Sequence, residues 1–527
     1  MSLSQIKLII QDYNKVILLM DNLEEHRPLF RSEFNFKKLV KLHLEDLLKQ
    51  ECEYWRKMCP AQWVKVGEDN TNFFHAMAIQ RYRRNSIAML TAEDGRQVTD
   101  HEEMAGLLWA SYKDRMGLSN GIDMQFDLQN LIQRVEGLEE ISAPFLKEEI
   151  DLVIKQMPPD KAPGPDGFNG LFQKKCWAIV QDDFINLAND FYHGNLSLQN
   201  INESFITLVP KVQSPDSVND FIPISLTNVC LKFLTKLVAN RFQLKVLKCV
   251  HKNQYGFIKD RSIQDCVAWM FEYLHQFHVS KNPIIILKLD FAKAFDTIEH
   301  VAILQVMKHK GFDEKTIGWV KSILSSRTSN ILLNGVPGKQ FHYKRGVRQG
   351  DPLSPILYVL GCELLQSVMN ELLSLGNLSR PIEINDPDFP IIQYANDTLL
   401  ILPADLDQFL TLKEVLHKFS ISTRLKVNYS KSSIVPINVD EDSVASLTAA
   451  FGCQVASLPF TYLGVPLGTS RPRLQDLTPI VTRLEGKLTC ISCFLSQGAR
   501  LQLVDSALSS SSIFFLCPLQ ISNGILN

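Results

Sequence analysis

The chain has 527 residues, of which 45% are hydrophobic and 21% charged, so it is neither wholly disordered nor fibrous and is long enough for a large core shared among several subdomains. The formal net charge is −2 at pH 7, whereas nucleic-acid-binding domains are usually basic, and this argues mildly against a nucleic-acid partner. Eleven irregularly spaced cysteines, no secretory leader and no uncharged apolar run of membrane-spanning length predict a reduced, intracellular protein.

Residues 1–115 are predicted to be helical and charged, because leucines such as Leu39, Leu42 and Leu47 recur at roughly helical spacing. Gly67-Glu68-Asp69-Asn70 interrupts the pattern, and Glu93-Asp94-Gly95 predicts a turn. Residues 116–200 form a predicted helical linker with a helix at about 171–193. Within it, four prolines and two glycines between Pro158 and Gly167 exclude a helix or central strand, which leaves an interdomain linker or a shaped loop over a site.

Strand and helix patterns alternate from residue 205 onward. Apolar runs predict strands at 205–209, 283–289, 331–333, 341–343, 391–392 and 398–402. Helical patterns fit 299–310, 313–325, 354–374 and 405–423. This order predicts an α+β domain whose mostly antiparallel sheet is covered on one face.

Two aspartates stand where chemistry is expected. Asp290 ends the buried strand 283–289, and Asp397 lies at a tight turn between two apolar strands. A hairpin turn and a neighbouring strand end can bring two carboxylates together. Such oxygens hold paired Mg²⁺ ions about 3.5–4 Å apart, which align an attacking hydroxyl and a leaving phosphate. For Asp397 alone, the alternative is an ordinary turn aspartate.

Short motifs along the chain resemble, in order, those of the reverse transcriptases of non-LTR (LINE-type) retrotransposons, plant LINE-like elements in particular. They are Lys161–Gly167, Leu208–Lys211, Pro223–Leu226, Gln254–Phe257 with Arg261, Leu289–Asp296, Gly346–Pro355, Tyr394–Asp397, Asn428–Ser432 and Tyr462–Gly468. Gly346–Pro355 is the most specific of them. Trp55–Arg84 also resembles the helical stretch ahead of this family's polymerase domain, so the resemblance covers about residues 50–515.

The resemblance implies a right-hand polymerase with a ferredoxin-like antiparallel palm sheet. Fingers and palm would occupy residues 201–470, after the N-terminal helical region 1–115 and the linker 116–200. Residues 471–527 would be a truncated start of the thumb. A lone CxxC at Cys490 and Cys493 lacks a second ligand pair and does not predict a zinc site. The chain is expected to lack the family's endonuclease and most of its thumb.

The resemblance also implies a catalytic centre. Asp290 and Asp397, helped by the Phe291 carbonyl, would hold two Mg²⁺ ions, with Mn²⁺ as the alternative. Lys431 would neutralise or protonate the leaving pyrophosphate, unless it is only a surface lysine.

Further residues are implied for the substrates. Lys211 would contact the triphosphate, and Gln349 with Gly350 would line the nucleotide pocket. Phe295 would exclude a ribose 2′-hydroxyl, the alternative being simple core packing. The basic cluster Lys344, Arg345 and Arg348, like Arg81, Arg83 and Arg84, is either a solvated face or a locally positive surface. The residues implied for binding nucleic-acid phosphates are Arg261, Arg345 and Arg348.

The sequence departs from the family pattern at four positions. Asn396 replaces the first aspartate of the Tyr-x-Asp-Asp turn, and an amide keeps one oxygen but loses the negative charge. Ile222 stands where the family has an arginine that contacts the triphosphate. Asp260 and Arg424 each stand in place of a glycine, Arg424 at a predicted helix C-terminus. Together these changes indicate the decay of an inactive copy.

The implied function is an RNA-directed DNA polymerase that uses two metal ions and is impaired by Asn396. Its partners would be an RNA template, a DNA primer or target DNA and deoxynucleoside triphosphates, with no membrane. Use of chromosomal targets implies a nuclear location, and no oligomeric state follows. The alternatives are a catalytically dead module that binds RNA or an RNA–DNA hybrid, and a domesticated fragment that merely folds.

Overall fold

The computed structural model describes residues 3–58, 72–119, 121–382, 386–470 and 473–489. The predicted break at 67–70, the pair Cys490 and Cys493 and most of the predicted thumb segment lie outside the described residues. Within them, contacts define two compact units: residues 3–58, 72–86 and 478–489 form the first, and the region 87–477 forms the second.

Three helices make up most of the first unit: α1 Leu3–His26, α2 Arg31–Met58 and α3 Asn72–Asn85. The α1–α2 connection is closed by an ion pair between Arg27 and Glu33 at 2.8 Å. Lys37 of α2 reaches back to Asp21 of α1 at 2.5 Å. The ring of Trp55 in α2 stacks on that of His75 in α3, with centroids 4.0 Å apart. The predicted helical character is confirmed for these residues.

The second unit mixes helices and strands, which confirms the α+β class. Its helices, with α16 running on into the first unit, are α4 His101–Tyr112, α5 Leu128–Leu131, α6 Lys147–Gln156, α7 Gly170–His193, α8 Val229–Cys249, α9 Ile263–Ser280, α10 Ala294–Thr297, α11 His300–Lys310, α12 Glu314–Ser325, α13 Ser354–Ser374, α14 Leu406–Thr423, α15 Glu441–Phe451 and α16 Leu474–Thr489. Its strands are β1 Leu90–Thr91, β2 Gln97–Val98, β3 Glu203–Pro210, β4 Phe221–Thr227, β5 Ile284–Leu289, β6 Thr328–Leu333, β7 Val336–His342, β8 Ile391–Tyr394, β9 Asp397–Pro403, β10 Ser433–Ile437, β11 Gln454–Val455, β12 Phe460–Tyr462 and β13 Val465–Leu467.

A five-stranded sheet in the order β11-β10-β5-β9-β8 forms the centre of this unit. Its pairings are antiparallel except for the short parallel contact of β10 with β11. Ile284, Ile285, Ile286 and Leu287 are all buried, so β5 is covered on both faces and not on one as predicted. A strand buried on both sides is a continuous apolar run, and this is why the sequence pattern of β5 shows no alternation.

A second sheet has the order β4-β3-β6-β7. Its strands β3 and β4 precede β5 in the chain, and β6 and β7 lie between β5 and β8. Residues 87–116 pack on it, because Leu90, Leu108 and Tyr112 belong to one buried cluster with Ile206 and Phe341. This stretch, assigned from the sequence to the N-terminal helical region, therefore belongs to the second unit.

Helix α13 passes through the main core. It is long and apolar enough to span a membrane by length and composition, but 78% of that window is buried inside the protein. Leu357, Leu360 and Leu364 of α13 share the core cluster with Ile285 and Leu287 of β5. A buried core helix accounts for this composition.

The Pro/Gly-rich segment 158–167 is a shaped loop that caps helix α8. Asp166 accepts a hydrogen bond from the Val229 backbone N–H at 2.6 Å, and its own N–H donates to the Asn228 side chain at 3.0 Å. A Cβ on Gly164 would meet the Thr227 carbonyl carbon at 2.4 Å, so only glycine fits there. These contacts exclude a free linker at this segment.

Candidate active site

Asp290 and Asp397 meet at the end of the central strands. The last β5–β9 pair is Leu289 with Thr398, so the same register sets Asp290 opposite Asp397. Directly opposed residues in an antiparallel pair have Cβ atoms about 4.5–5.5 Å apart. Burial raises the pKa of Asp397, the Lys288 ammonium opposes this, and the Asp290 carboxylate adds to it. The two acids therefore share one electrostatic environment, which a cation would stabilise.

The turn before Asp397 is a two-residue hairpin. Tyr394 pairs with Asp397, which leaves Ala395 and Asn396 as the loop residues. Ala395 has φ 57°, in the left-handed region that a residue with a Cβ seldom adopts unless its surroundings hold it there. Asn396 lines the adjacent cavity, so the amide replaces the expected carboxylate without leaving the site.

Two buried side chains hold this turn. The Gln254 Oε1 accepts hydrogen bonds from the backbone N–H groups of Ala395 and Gly256, each at 2.9 Å. The Tyr462 hydroxyl donates to the Asp397 carbonyl at 3.3 Å. A Cβ on Gly256 would lie 2.4 Å from the Ala395 nitrogen, so the 254–256 segment approaches the turn as closely as glycine allows.

The segment before β10 is fixed against Asp290. The Asn428 N–H donates to the Asp290 carbonyl at 2.7 Å, and the Asp290 N–H donates to the Ser432 hydroxyl at 3.1 Å. Lys431, between these two residues, lines the same cavity as Asp290. The predicted Lys431 thus lies beside the predicted carboxylate.

One cavity of about 510 Å³ gathers most of the predicted site. The sequence-predicted residues on its wall are Lys211, Asp290, Phe291, Phe295, Arg348, Gln349, Gly350, Asn396 and Lys431. It is also lined by Ile222, the position at which an arginine was expected. A pocket of this size, lined by both acidic and basic side chains, suits a charged ligand.

The nucleotide-pocket residues are held by their neighbours. The Phe295 ring stacks on Tyr358 with centroids 4.3 Å apart and contacts Phe257 edge-on at 5.8 Å. Gly350 has φ 107°, and a Cβ there would lie 2.8 Å from the Ser225 carbonyl oxygen. The flat wall made by Phe295 is therefore rigid, and the Gly350 backbone lies tight against β4.

The site also contains three residues that the sequence did not predict, Arg115, Lys293 and Asp296. Asp296 is buried, and it meets Arg115 at 3.5 Å and accepts a hydrogen bond from the Gln349 side chain at 3.3 Å. Burial raises the pKa of Asp296, and Arg115 is the main opposing influence. Burial, with the nearby Arg115 and Lys211, lowers the pKa of Lys293 to about 8. Lys293 and Asp296 stand within a quoted motif, but no motif pointed to Arg115.

Arg348 does not fit the predicted contact with nucleic-acid phosphates. It is 2% exposed, although it touches the inner wall of the cavity. Its guanidinium donates to the Asn202 side chain and to the carbonyls of Asn202 and Thr328, at 2.9 and 2.8 Å for the carbonyls. Internal acceptors and burial therefore assign it to holding β3 and β6 together.

Arg261 and Arg345 are half-buried and also donate to main-chain carbonyls. Arg261 reaches those of His251 and Gln254, each at 2.6 Å, and so braces the segment that carries Gln254. Arg345 donates to the Arg115 carbonyl at 2.8 Å. Both arginines thus have a structural role beside any contact with nucleic acid.

Two of the departures from the family pattern occupy backbone positions that favour glycine. Asp260 has φ 68° and Arg424 has φ 64°. Arg424 ends helix α14 in the left-handed conformation, as predicted for a C-cap. Its side chain donates to the Gly121 carbonyl at 2.9 Å, which helps to hold the strained backbone.

Comparison with known proteins gives a family for this site. Residues 209–467 match the family "Reverse transcriptase (RNA-dependent DNA polymerase)". An uncharacterised 149 kDa protein of transposon TX1 from Xenopus laevis is 25% identical over 371 residues, which cover 69% of this chain and 28% of that protein. A Pol polyprotein of the type-1 retrotransposable element R2 from Popillia japonica is 27% identical, covering 56% of this chain and 40% of the relative.

The RNA-directed DNA polymerase from mobile element jockey of Drosophila melanogaster is 21% identical, covering 73% of this chain and 43% of the relative. The chain thus spans less than half the length of each of these relatives. The motifs that line the cavity fall within the matched segment, apart from Arg115 upstream of it. Residues 209–467 are therefore a reverse transcriptase domain of the kind found in non-LTR retrotransposons.

Proposed function

We propose that residues 201–470 are the fingers and palm of a right-hand polymerase that copies RNA into DNA, with residues 471–527 as the start of a thumb, 1–86 as the N-terminal helical region and 117–200 as the linker. Residues 87–116, which pack on the second sheet, would belong with the fingers. The five-stranded sheet would be the ferredoxin-like palm, and the sheet β4-β3-β6-β7 part of the fingers. The observation that carries the proposal is the register that sets Asp397 opposite Asp290, which itself lies on the wall of a cavity lined by Phe295 and Gln349.

The residues fit two Mg²⁺ ions, or Mn²⁺, only in part. Asp290 and Asp397, with the Phe291 carbonyl, offer the hard oxygen ligands that these ions prefer. Burial, with the nearby Asp290 carboxylate, raises the pKa of Asp397, and a bound cation would favour its charged form. Among the described residues, however, no group of three or more acidic, histidine or cysteine side chains forms. Bound there, the ions would supply Lewis-acid stabilisation of the phosphate oxygens.

The chain's own residues would position and neutralise the reactants. The primer 3′-hydroxyl would attack the α-phosphate of a deoxynucleotide and lose its proton to water, an O–P bond would form, and the bond between the α-phosphorus and the oxygen that bridges to the β-phosphate would break to release pyrophosphate. Lys431 would give a proton to the leaving pyrophosphate. Phe295, fixed by Tyr358, would exclude a 2′-hydroxyl, and Lys211 would neutralise the triphosphate.

Asn396 would impair this reaction without removing the fold around it. An amide in place of a carboxylate withdraws one negative charge from the ion cluster. A loss of about 3–5 kcal/mol of transition-state stabilisation, within the several kcal/mol that a catalytic metal contributes, lowers the rate by about 10²–10⁴-fold.

Primer extension on an RNA template tests both parts, with Mg²⁺ and then Mn²⁺, on the native chain, Asn396→Asp and Asp290→Asn. We expect Asn396→Asp to extend the primer far faster than the native chain, and Asp290→Asn to be inactive. Equal rates for the native chain and Asn396→Asp would disprove the impairment. If Asn396→Asp makes no product while the chain binds a primed template with a steep salt dependence, the alternative binding module is supported instead.

The natural partners follow from the same proposal. An RNA template, a DNA primer provided by nicked target DNA and deoxynucleoside triphosphates would be the substrates, and Arg261 and Arg345 would touch nucleic-acid phosphates with the donors they do not use internally. A chromosomal primer implies work in the nucleus. Primer extension from a nicked duplex, compared with a free oligonucleotide, tests the choice of primer.

A further inference from the structure

We propose that Arg115, with Lys293, binds the phosphate groups of the incoming nucleotide and replaces the cation that is missing at Ile222. The nucleotide as ligand rests on the proposed function, but the recognition of a polyphosphate does not. Arg115 lies upstream of the matched segment 209–467, so it is not part of the motifs that define this family's domain.

Arg115 is nearly buried yet faces the cavity. Its side chain is 10% exposed and lines the cavity wall. Its Nη2 donates to the Asn219 side-chain oxygen at 3.0 Å. Its Nη1 is buried, lies 3.5 Å from Asp296, and has no hydrogen-bond partner among the described residues. Buried donors are normally satisfied, so this guanidinium has room for one more acceptor.

Two lysines converge on the same point. The ammonium groups of Lys293 and Lys211 donate to the Asn219 carbonyl at 3.2 and 3.4 Å. Asn219 therefore brings three cations together through its side-chain and main-chain oxygens. Of the carboxylates on the cavity wall, Asp290 belongs to the proposed metal site, and Asp296 alone stands against these three cations. An excess of positive charge in a half-enclosed pocket attracts an anion.

The position of Arg115 explains how the site tolerates Ile222. Ile222 of β4 lines the same cavity but carries no charge. Arg115 enters from the π-helical turn Lys113–Gly117, which follows α4 on the second sheet. Such turns are often found at functional sites. A guanidinium offers a rigid fork of donors that matches phosphate oxygens, which suits it to this ligand.

Calorimetric titration of the full chain with inorganic tripolyphosphate and with dATP tests the proposal without any need for catalysis. We expect Arg115→Ala to weaken the binding of both by roughly 10–100-fold, the value of a charge-assisted contact. Lys113→Ala, which removes one charge from the exposed side of the same turn, should bind like the native chain. Ile222→Arg introduced into Arg115→Ala should restore most of the affinity.

Native-like affinity in Arg115→Ala would overturn the proposal. If Arg115→Ala does not fold because Asp296 is left unpaired, Arg115→Met/Asp296→Asn removes both charges, and native-like affinity in that variant is equally contrary. If tripolyphosphate binding depends on Arg115 but neither the native chain nor Asn396→Asp synthesises DNA, the proposed function is wrong and this inference is supported. If Asn396→Asp synthesises DNA and adding Arg115→Ala to it leaves the KM for dATP unchanged, the proposed function is supported and this inference is wrong.

Discussion

The side-chain oxygen of Gln254 accepts a hydrogen bond from the Ala395 backbone N–H at 2.9 Å, across 141 positions of sequence. The same oxygen accepts from the Gly256 N–H. Gln254 thus joins the 254–256 segment to the hairpin that carries Asn396 and Asp397. Its role is positioning, because it touches the backbone of the turn and not the acidic side chains.

Gln254→Ala should destabilise the protein and misplace the turn. It leaves two buried N–H groups without an acceptor, at a cost of about 1–3 kcal/mol each. Urea unfolding measures that loss. In the Asn396→Asp chain, the same change should lower kcat more than it raises KM. Gln243→Ala, which removes a half-buried glutamine that bridges the backbones of Phe257 and Lys259, should change the free energy of unfolding by less than about 1 kcal/mol. Equal effects at the two glutamines would contradict this role.

Gly256→Ala should displace the catalytic turn, because the added Cβ would lie 2.4 Å from the Ala395 nitrogen. We expect a loss of stability of roughly 1–3 kcal/mol, the scale of overpacking a tight site, together with a lower kcat in the Asn396→Asp chain. Gly106→Ala, within α4 and with nothing within 4 Å of the new Cβ, should instead stabilise by about 0.5–1 kcal/mol. If Gly256→Ala changes neither the free energy of unfolding nor kcat, the turn can shift to accommodate the added Cβ.

Acidification should destabilise the protein through His300. Burial, helped by Arg327, lowers the pKa of His300 to about 3 from the usual 6.5, while its hydrogen bond to the Gly346 carbonyl acts the other way. Between pH 6.5 and 3, His300 therefore binds a proton in the unfolded chain but not in the folded chain. Its contribution to the free energy of unfolding is full above pH 6.5 and decreases below that pH, by about 2 kcal/mol at pH 5.

His300→Gln, which keeps a donor for the Gly346 carbonyl, should flatten this loss between pH 6.5 and 4. Urea unfolding at several pH values measures it against the exposed His193→Gln as control. The same slope in the native chain and His300→Gln would show that another group is responsible.

Removing both charges of the Lys310–Glu363 ion pair should destabilise the protein less than removing the charge of Lys310 alone. Their charged atoms lie 3.0 Å apart with side chains only 8% and 7% exposed. Lys310→Met leaves a buried carboxylate unpaired and should cost about 3–5 kcal/mol. Adding Glu363→Gln should recover part of the lost free energy of unfolding, because the amide is neutral and its oxygen still accepts a hydrogen bond from the His251 backbone N–H. Lys418→Met, at the exposed pair with Glu414, should cost less than about 1 kcal/mol. If Lys310→Met/Glu363→Gln is no more stable to urea than Lys310→Met, the loss does not come from an unpaired buried carboxylate.

Phe295→Ala in the Asn396→Asp chain should admit ribonucleotides. Removing the ring that stacks on Tyr358 opens space for a 2′-hydroxyl, and discrimination should fall by roughly 10–200-fold, the range that pocket shape alone provides. Single-nucleotide incorporation of dATP and ATP gives the ratio. Phe257→Leu, which changes only the edge-on neighbour, should keep most of the discrimination. If Phe295→Ala discriminates between dATP and ATP as well as its parent does, Phe295 serves only to pack the core.

The sequence predicted those elements whose periodicity survives in the fold. Helix α13 was expected at 354–374 and has those bounds, and β9 and α14 begin and end within a residue or two of their predicted limits. Helix α8 had no such pattern, because Leu231, Phe233, Leu234 and Leu237 bury several faces of one helix.

The site was predictable only as far as motifs reached. The two carboxylates came together because Asp290 follows β5 and Asp397 begins β9, and these strands pair in one sheet. Arg115 depends on a contact between distant segments that no local pattern records. The arginines expected to bind nucleic acid show the reverse problem, since charge alone does not tell whether Arg348 faces solvent or the carbonyls of Asn202 and Thr328.

The turn at Asn396 keeps its shape because its supports come from elsewhere: Gln254 on one side and the Tyr462 hydroxyl on the other. Neither support depends on the charge of residue 396. Codons for asparagine and aspartate differ by a single base, so an element carrying this chain stands one point mutation from regaining the missing carboxylate on a scaffold already built to receive it.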